Sequence, residues 1–195
     1  MAPTVLLDRS TIAAHVRRLG AEIAADHPDG VVLVGVLKGA LIFFADLVRA
    51  VPDVDVEVDF MSISRFAPDS GRVRIVHDLE IDIGGREVVI VEDIVDTGLT
   101  LAYLYGQLET RGPRRLAACA LLDRPGRRIV PQRVQYRGAE LTNEYVVGYG
   151  LHVRDLYRNL SCVVAADRDV LVSRPDAYVA DVYRGGNEPE TPVVG

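Results

Sequence analysis

The sequence predicts an α/β fold with a mainly parallel sheet flanked by helices. Three observations carry that expectation. The short continuous apolar runs VVLVGV (31–36), EVVIVED (87–93) and RLAACALLD (115–123) read as strands covered on both faces. Other segments repeat their apolar residues at helical spacing. Strand-like and helix-like segments then alternate along the chain, which is the order that builds βα units. A length of 195 residues suits one domain with a small appendage.

Each element follows from local pattern. Residues 10–25 predict a helix that Ser10 or Thr11 can cap; Ile12, Val16, Leu19 and Ile23 fall on one face, and His27-Pro28-Asp29-Gly30 ends it. The strand 31–36 follows, then helical spacing over 39–51, stopped by Pro52. In VDVEVDFM (54–61) apolar residues alternate with acids, which predicts a strand with one wet face. SISRFAPDSGR (62–72) is polar with Pro and Gly and predicts a mobile loop. The strand 87–93 leads into a helix over 99–111, and the strand 115–123 follows. QRVQYRG (132–138), EYVVGYG (144–150) and SCVVAAD (161–167) are shorter strand candidates. The expected organisation is a single domain over 1–183, comprising a core and a small hood, with a Gly/Pro/Glu-rich disordered tail over 184–195.

Composition narrows the function classes. Apolar residues make up 49%, enough for an aliphatic core, and the formal charge of −6 argues against nucleic acid held by bulk electrostatics. Cys119 and Cys162 lie in apolar runs, as buried free thiols do. The N-terminal stretch lacks a signal pattern, and the longest apolar runs fall far short of the ~20 residues of a spanning helix. The expectation is a cytoplasmic enzyme or binding protein with no membrane partner.

One stretch holds the chemistry. In VVIVEDIVDTGLT (88–100) an apolar strand ends in Glu92, Asp93 and Asp96, and a turn then opens a helix. Open α/β sheets bind ligands outside the carboxyl ends of their strands. Backbone N–H groups of Thr97, Gly98, Leu99 and Thr100, with the helix N-terminus and two hydroxyls, suit a phosphate. Acids beside such a cradle make sense if the ligand also presents hydroxyls or arrives with Mg²⁺, and a sugar phosphate does both. Helix capping would account for one acid and not three. The P-loop and dinucleotide-binding glycine signatures are missing.

This stretch resembles the phosphoribosyl-diphosphate (PRPP) signature of type I phosphoribosyltransferases. VGVLKGALIFFADLVR (34–49), VEVDFMSIS (56–64), ALLDRPGRR (120–128) and EYVVGYGLHVRDLYRNL (144–160) are similar to the hypoxanthine-guanine branch. The resemblance runs in the family's order over about residues 8–166. It implies the family's fold with a small base-binding hood, and transfer of the phosphoribosyl group from PRPP to a purine-type base with release of pyrophosphate. By resemblance, Glu92 and Asp93 hold the ribose hydroxyls, directly or through Mg²⁺, and Asp96 is the general base at the purine N7. Thr97, Gly98, Leu99 and Thr100 form the 5′-phosphate loop. Leu37, Lys38 and Gly39 form the pyrophosphate loop, where the family often has a non-proline cis peptide, and Arg158 is a second pyrophosphate cation. Tyr145 stacks on the base, and Val146 reads its edge through the backbone.

The chain departs from the family pattern at three places. Arg124 stands where the family commonly has a lysine that donates to the purine 6-oxo group, and its planar fork needs different room. His152 replaces an aspartate that ligates a second metal; a neutral imidazole is the poorer Mg²⁺ ligand, whereas a protonated one would be a cation for pyrophosphate. The lid loop reads Ser64-Arg65-Phe66 where the family has Ser-Tyr. These changes leave open a modified base, such as a 7-deazapurine. A regulator that senses PRPP or nucleotides and binds RNA is the alternative from another class; its basic surface would be RPGRRIVPQRVQYR (124–137), otherwise a base-side loop and subunit contact. A homo-oligomer, dimer or tetramer, is expected.

Overall fold

A computed structural model of the protein describes residues 2–64 and 73–185. The chain divides into two compact units: one spans Arg9–Asn143, and the other is built from the chain's ends, through Asp8 and from Glu144 onward.

The larger unit carries the sheet predicted from sequence. Its elements are helix α1 (Arg9–Asp26), strand β2 (Val31–Leu37), helix α2 (Leu41–Ala50), β3 (Val56–Ser64), β4 (Arg74–His77), β5 (Glu87–Val95), helix α3 (Leu99–Glu109), β6 (Arg115–Asp123), a short 3-10 turn (Pro125–Arg127) and β7 (Tyr136–Glu140). The strand order is β4-β3-β2-β5-β6-β7. All pairings are parallel except the one between β3 and the edge strand β4. The central strands β2 and β5 are buried on both faces, as their unbroken Val/Ile runs require. One side of the sheet packs Val32, Val34, Val88, Ile90 and Ala118 against Leu101, Leu104 and Leu108 of α3. On α1 the buried residues are Ile12, Val16, Leu19, Gly20 and Ile23, which contains the predicted face.

The smaller unit has an antiparallel sheet in the order β1-β9-β8, from β1 (Thr4–Leu7), β8 (Tyr145–Val147) and β9 (Val163–Ala166). Helices α4 (Arg168–Ser173) and α5 (Val179–Gly185) belong to it. Tyr157 is fully buried at its centre and donates its hydroxyl to the Pro175 carbonyl at 2.7 Å. Asp167 caps α4, its side chain accepting from the N–H groups of Asp169 and Val170.

Several elements differ from expectation. β1 and β4 have four residues each, too few for alternation to declare them. β3 runs to Ser64, so the first part of the expected loop 62–72 is strand; 65–72, with Arg65 and Phe66, lies outside the described residues. Helix α5 continues through Gly185, two residues into the expected tail, and 186–195 also lies outside the described residues. No helix among the described residues is long and apolar enough to cross a membrane.

At the N-terminal ends of the strands a polar network ties α1 to the sheet. His27, 1% exposed, places Nδ1 2.8 Å from Glu87 Oε2 and Nε2 3.0 Å from the Tyr136 hydroxyl, which donates to Asp26 Oδ2 at 2.8 Å. Arg114 and Arg115 complete it, on Glu87 at 2.8 Å and on Asp26 at 3.4 Å. Burial pushes His27 below the ordinary imidazole range, against the pull of Glu87. A depressed imidazole favours the neutral form in the folded state, so its contribution to stability is present above the unfolded value of about 6.5 and is lost as pH falls through it. The wild-type melting temperature should therefore drop between pH 7 and 5.5 by more than that of His27→Gln, as read by parallel thermal melts.

Candidate active site

The larger unit gathers its predicted site residues at the carboxyl ends of β2, β5 and β6. Parallel pairing sets Val32–Gly35 beside Val88–Val91, so Leu37-Lys38-Gly39 leaves β2 next to Glu92 and Asp93. The Leu37–Lys38 peptide is cis. Gly39 passes so close to the Asp93 carboxylate that a Cβ there would overlap it, which is why the loop needs glycine. Glu92 and Asp93 are 7% and 8% exposed, so two carboxylates stand at the strand end largely stripped of water. Asp93 Oδ1 accepts from the N–H of Ile94 at 2.9 Å. Lys38 is exposed, at the turn into α2.

The loop from Val95 to Gly98 is held through its carbonyls. The Val95 carbonyl accepts from the Arg124 N–H at 3.0 Å, that of Thr97 from the N–H groups of Ile129 and Val130 at 2.9 and 3.1 Å, and that of Gly98 from Ala102 at 2.9 Å. All but the last donor lie on the arm 124–130 that follows β6. Gly98 has φ +82° at the start of α3, and a Cβ there would overlap the Val130 carbonyl oxygen. Thr97 Oγ1 accepts from the N–H of Leu99 at 3.5 Å.

Asp96 stands between this loop and the arm. Its Oδ2 lies 3.2 Å from Arg124 Nη1, a nearly buried guanidinium, and its Oδ1 lies 3.5 Å from Arg127 Nε. Oδ1 is itself buried and without a hydrogen-bond partner among the described residues. A buried acceptor of this kind is costly unless something donates to it. Arg127 was not anticipated as a site residue, nor were Asp123 and Arg128; the only signal was the RPGRR run directly after a strand ending in Asp123. Their position also shows that the basic stretch 124–137 is not one open surface. Arg124 and Arg128 turn inward, and Arg137 pairs with Asp123 and Glu140 at 3.4 and 3.3 Å.

The smaller unit carries Tyr145, Val146, His152 and Arg158. Tyr145 is half-buried on β8 against that unit's own core, and Val146 is buried beside it. His152 and Arg158 meet through Asp155. The His152 Nδ1 accepts from the Asp155 N–H at 3.0 Å, while Arg158 donates Nε and Nη2 to Asp155 Oδ1 at 3.1 and 2.8 Å and Nη1 to the Gly150 carbonyl at 2.6 Å. The Nδ1 lone pair of His152 is thus directed into its own turn. No group of three or more His, Cys, Asp or Glu among the described residues is arranged to close around a metal ion. Glu92 and Asp93 are instead two successive hard carboxylates near the end of β5, and carboxylate oxygens are the donor type a magnesium ion takes while keeping its waters. Ser64, at the foot of the expected lid, closes the β3–β4 pairing opposite Arg74.

Comparison with known proteins agrees with this geometry. Residues 4–154 match the family described as phosphoribosyl transferase domain. The chain is 42% identical over 174 residues to the hypoxanthine-guanine phosphoribosyltransferase of Mycobacterium avium, covering 84% of this chain and 85% of that protein. Among solved structures, a hypoxanthine-guanine phosphoribosyltransferase from Bacillus anthracis superposes with a TM-score of 0.80 at 34% identity, covering 84% of this chain and 98% of that one. The hypoxanthine phosphoribosyl transferase of Trypanosoma cruzi gives 0.82 at 37%, covering 89% and 96%.

Gly98→Ala should destabilise the protein by ~1–3 kcal/mol, because a side chain is strained at this φ and meets a carbonyl oxygen. Denaturant unfolding of the variant beside wild type measures it.

Proposed function

The chain belongs to the phosphoribosyl transferase domain family, and on that premise we propose that it transfers the 5-phosphoribosyl group of PRPP to a 6-oxopurine such as hypoxanthine or guanine, releasing pyrophosphate. The observation that carries the reading is Asp96: a carboxylate with one oxygen on Arg124 and the other buried without a hydrogen-bond donor among the described residues, directly before an amide-lined turn. A purine ring N–H supplies the missing donor. The relatives from Mycobacterium avium and Bacillus anthracis bear names for this activity.

In this reading the 5′-phosphate sits on the N–H groups of Thr97, Gly98, Leu99 and Thr100 at the start of α3, where backbone donors and the helix end favour an anion. The ribose hydroxyls donate to Glu92 and Asp93. The bond between C1 of the ribose and the pyrophosphate oxygen breaks as a purine nitrogen bonds to C1, and the ring proton passes to Asp96. Charge developing on the leaving oxygen is met by the Leu37-Lys38-Gly39 turn with the Lys38 ammonium. Glu92 and Asp93 would hold Mg²⁺, which when bound neutralises diphosphate charge. Arg124 is the base-side donor, and its ion pair with Asp96 couples recognition of the 6-oxo group to the state of the general base. We place the enzyme in the cytoplasm, consistent with two free cysteines, and read it as a homo-oligomer.

The test is pyrophosphate release from PRPP with hypoxanthine, guanine and their 7-deaza analogues. Turnover with the first two and not the analogues is expected; turnover with the analogues alone would move the assignment to a modified base. Asp96→Asn should lower kcat by roughly 10²–10⁴ on the true base while PRPP still binds. Wild-type turnover by that variant would remove Asp96 from the mechanism.

A further inference from the structure

A buried carboxylate and a partly buried guanidinium beside the site have no part in the chemistry above. Asp123, 4% exposed, ends β6 directly opposite Val95 in the sheet register. Its Oδ1 is ion-paired with Nη2 of Arg128, whose side chain is 13% exposed. The other arm of that guanidinium reaches away from Asp123: Nη1 donates to the Val95 carbonyl at 2.7 Å and to the Asp96 carbonyl at 2.5 Å. One planar group therefore joins a strand-end carboxylate to two consecutive carbonyls of the loop that carries Asp96.

The consequence lies in which way the loop's peptides face. A peptide whose carbonyl is turned to one side presents its N–H to the other. The carbonyls of Val95, Asp96 and Thr97 are all held on the arm 124–130, and for Asp96 the only donor among these backbone and arm contacts is Arg128. The N–H that this carbonyl turns outward is that of Thr97, the first amide of the phosphate cradle. Arg128 also lies against the one position where the cradle tolerates no side chain, its Cδ 3.2 Å from where a Gly98 Cβ would stand.

We propose that Arg128, held by Asp123, is a positioning residue for the phosphate end of the substrate: it orients the peptide units of Val95 and Asp96 so that the cradle's amides face the 5′-phosphate, without itself touching the ligand. This rests on the phosphoribosyl transfer reading. Lysine cannot replace it, because an ammonium lacks the fork that spans a carboxylate and two carbonyls at once. Asp123 acts only through Arg128, so its second partner, Arg137, is dispensable.

The experiment compares wild type, Arg128→Lys, Asp123→Asn and Arg137→Ala by calorimetric PRPP affinity, by steady-state kinetics with PRPP and base varied separately, and by thermal melts. Arg128→Lys should raise both the Kd and the KM for PRPP by ~10-fold or more, since a displacement near 1 Å at a distance is enough for such losses. The KM for the base should be unchanged and the melting temperature close to that of wild type. Asp123→Asn, which keeps the shape and loses the charge, should shift PRPP in the same direction, and combining it with Arg128→Lys should add little, as for residues acting as one unit. Arg137→Ala should match wild type. PRPP constants within about twofold of wild type for both Arg128→Lys and Asp123→Asn would overturn the proposal. So would a loss of PRPP affinity that merely follows a fall in melting temperature, or an equal rise in the KM of the base. If wild type binds PRPP but transfers it to no base, the transferase reading falls while the Kd comparison still decides the role of Arg128. If wild type does not bind PRPP, both fall.

Discussion

The site depends on carboxylates kept where water is scarce. Glu92 and Asp93 are both more than nine-tenths buried at the end of the central strand β5, with the Gly39 backbone against Asp93. Desolvating two successive acids is costly, and a fold keeps such an arrangement where other groups offset it. Here the sheet supplies the rigidity. β5 is paired in parallel on both sides and buried on both faces, so the strand cannot shift to wet its acids without breaking the hydrophobic layer beneath α3. The backbone that carries the two carboxylates is thereby held in place.

Around those acids the same logic repeats with cations. Asp96 is engaged by Arg124 and Arg127, and Asp123 by Arg128 and Arg137. Four arginines from one short stretch are thus spent on two carboxylates at neighbouring strand ends. That changes the meaning of the run RPGRRIVPQRVQYR. As a linear pattern it is a basic segment of an acidic chain and invites comparison with nucleic-acid surfaces. In the fold it is an arm that closes over the loop 95–98, with backbone N–H groups and guanidinium groups both directed at that loop.

Much of this was legible from sequence. Strands β2, β5 and β6 announced themselves by unbroken apolar runs, and α1 by its 3.6-residue period, because burial on two faces or one leaves a direct trace in residue order. The acidic strand end with its glycine turn was legible for the same reason: chemistry there is local, within nine residues. The rest was hidden by distance or brevity. β1 and β4 are too short to show alternation, and β1 finds its partner β9 from the far end of the chain. The pairing of Asp96 with Arg124 joins positions 28 apart through a parallel crossover, which no periodicity reveals. His152, expected as a weak metal ligand or a cation, directs its Nδ1 lone pair to the backbone N–H of Asp155, a contact set by the tight turn at 154–157 with its positive φ angles.

In the phosphoribosyl transfer reading, the amides following Asp96 face an anion because their carbonyls are held behind them. Amide proton and nitrogen shifts of the ¹⁵N-labelled protein, followed during titration with ribose 5-phosphate, test it residue by residue. The account predicts that the largest changes fall on Thr97, Gly98, Leu99 and Thr100, saturating together, while Ile129 and Val130, whose N–H groups are already committed to the Thr97 carbonyl, move little. Saturable shifts centred elsewhere, with 97–100 unmoved, would contradict it.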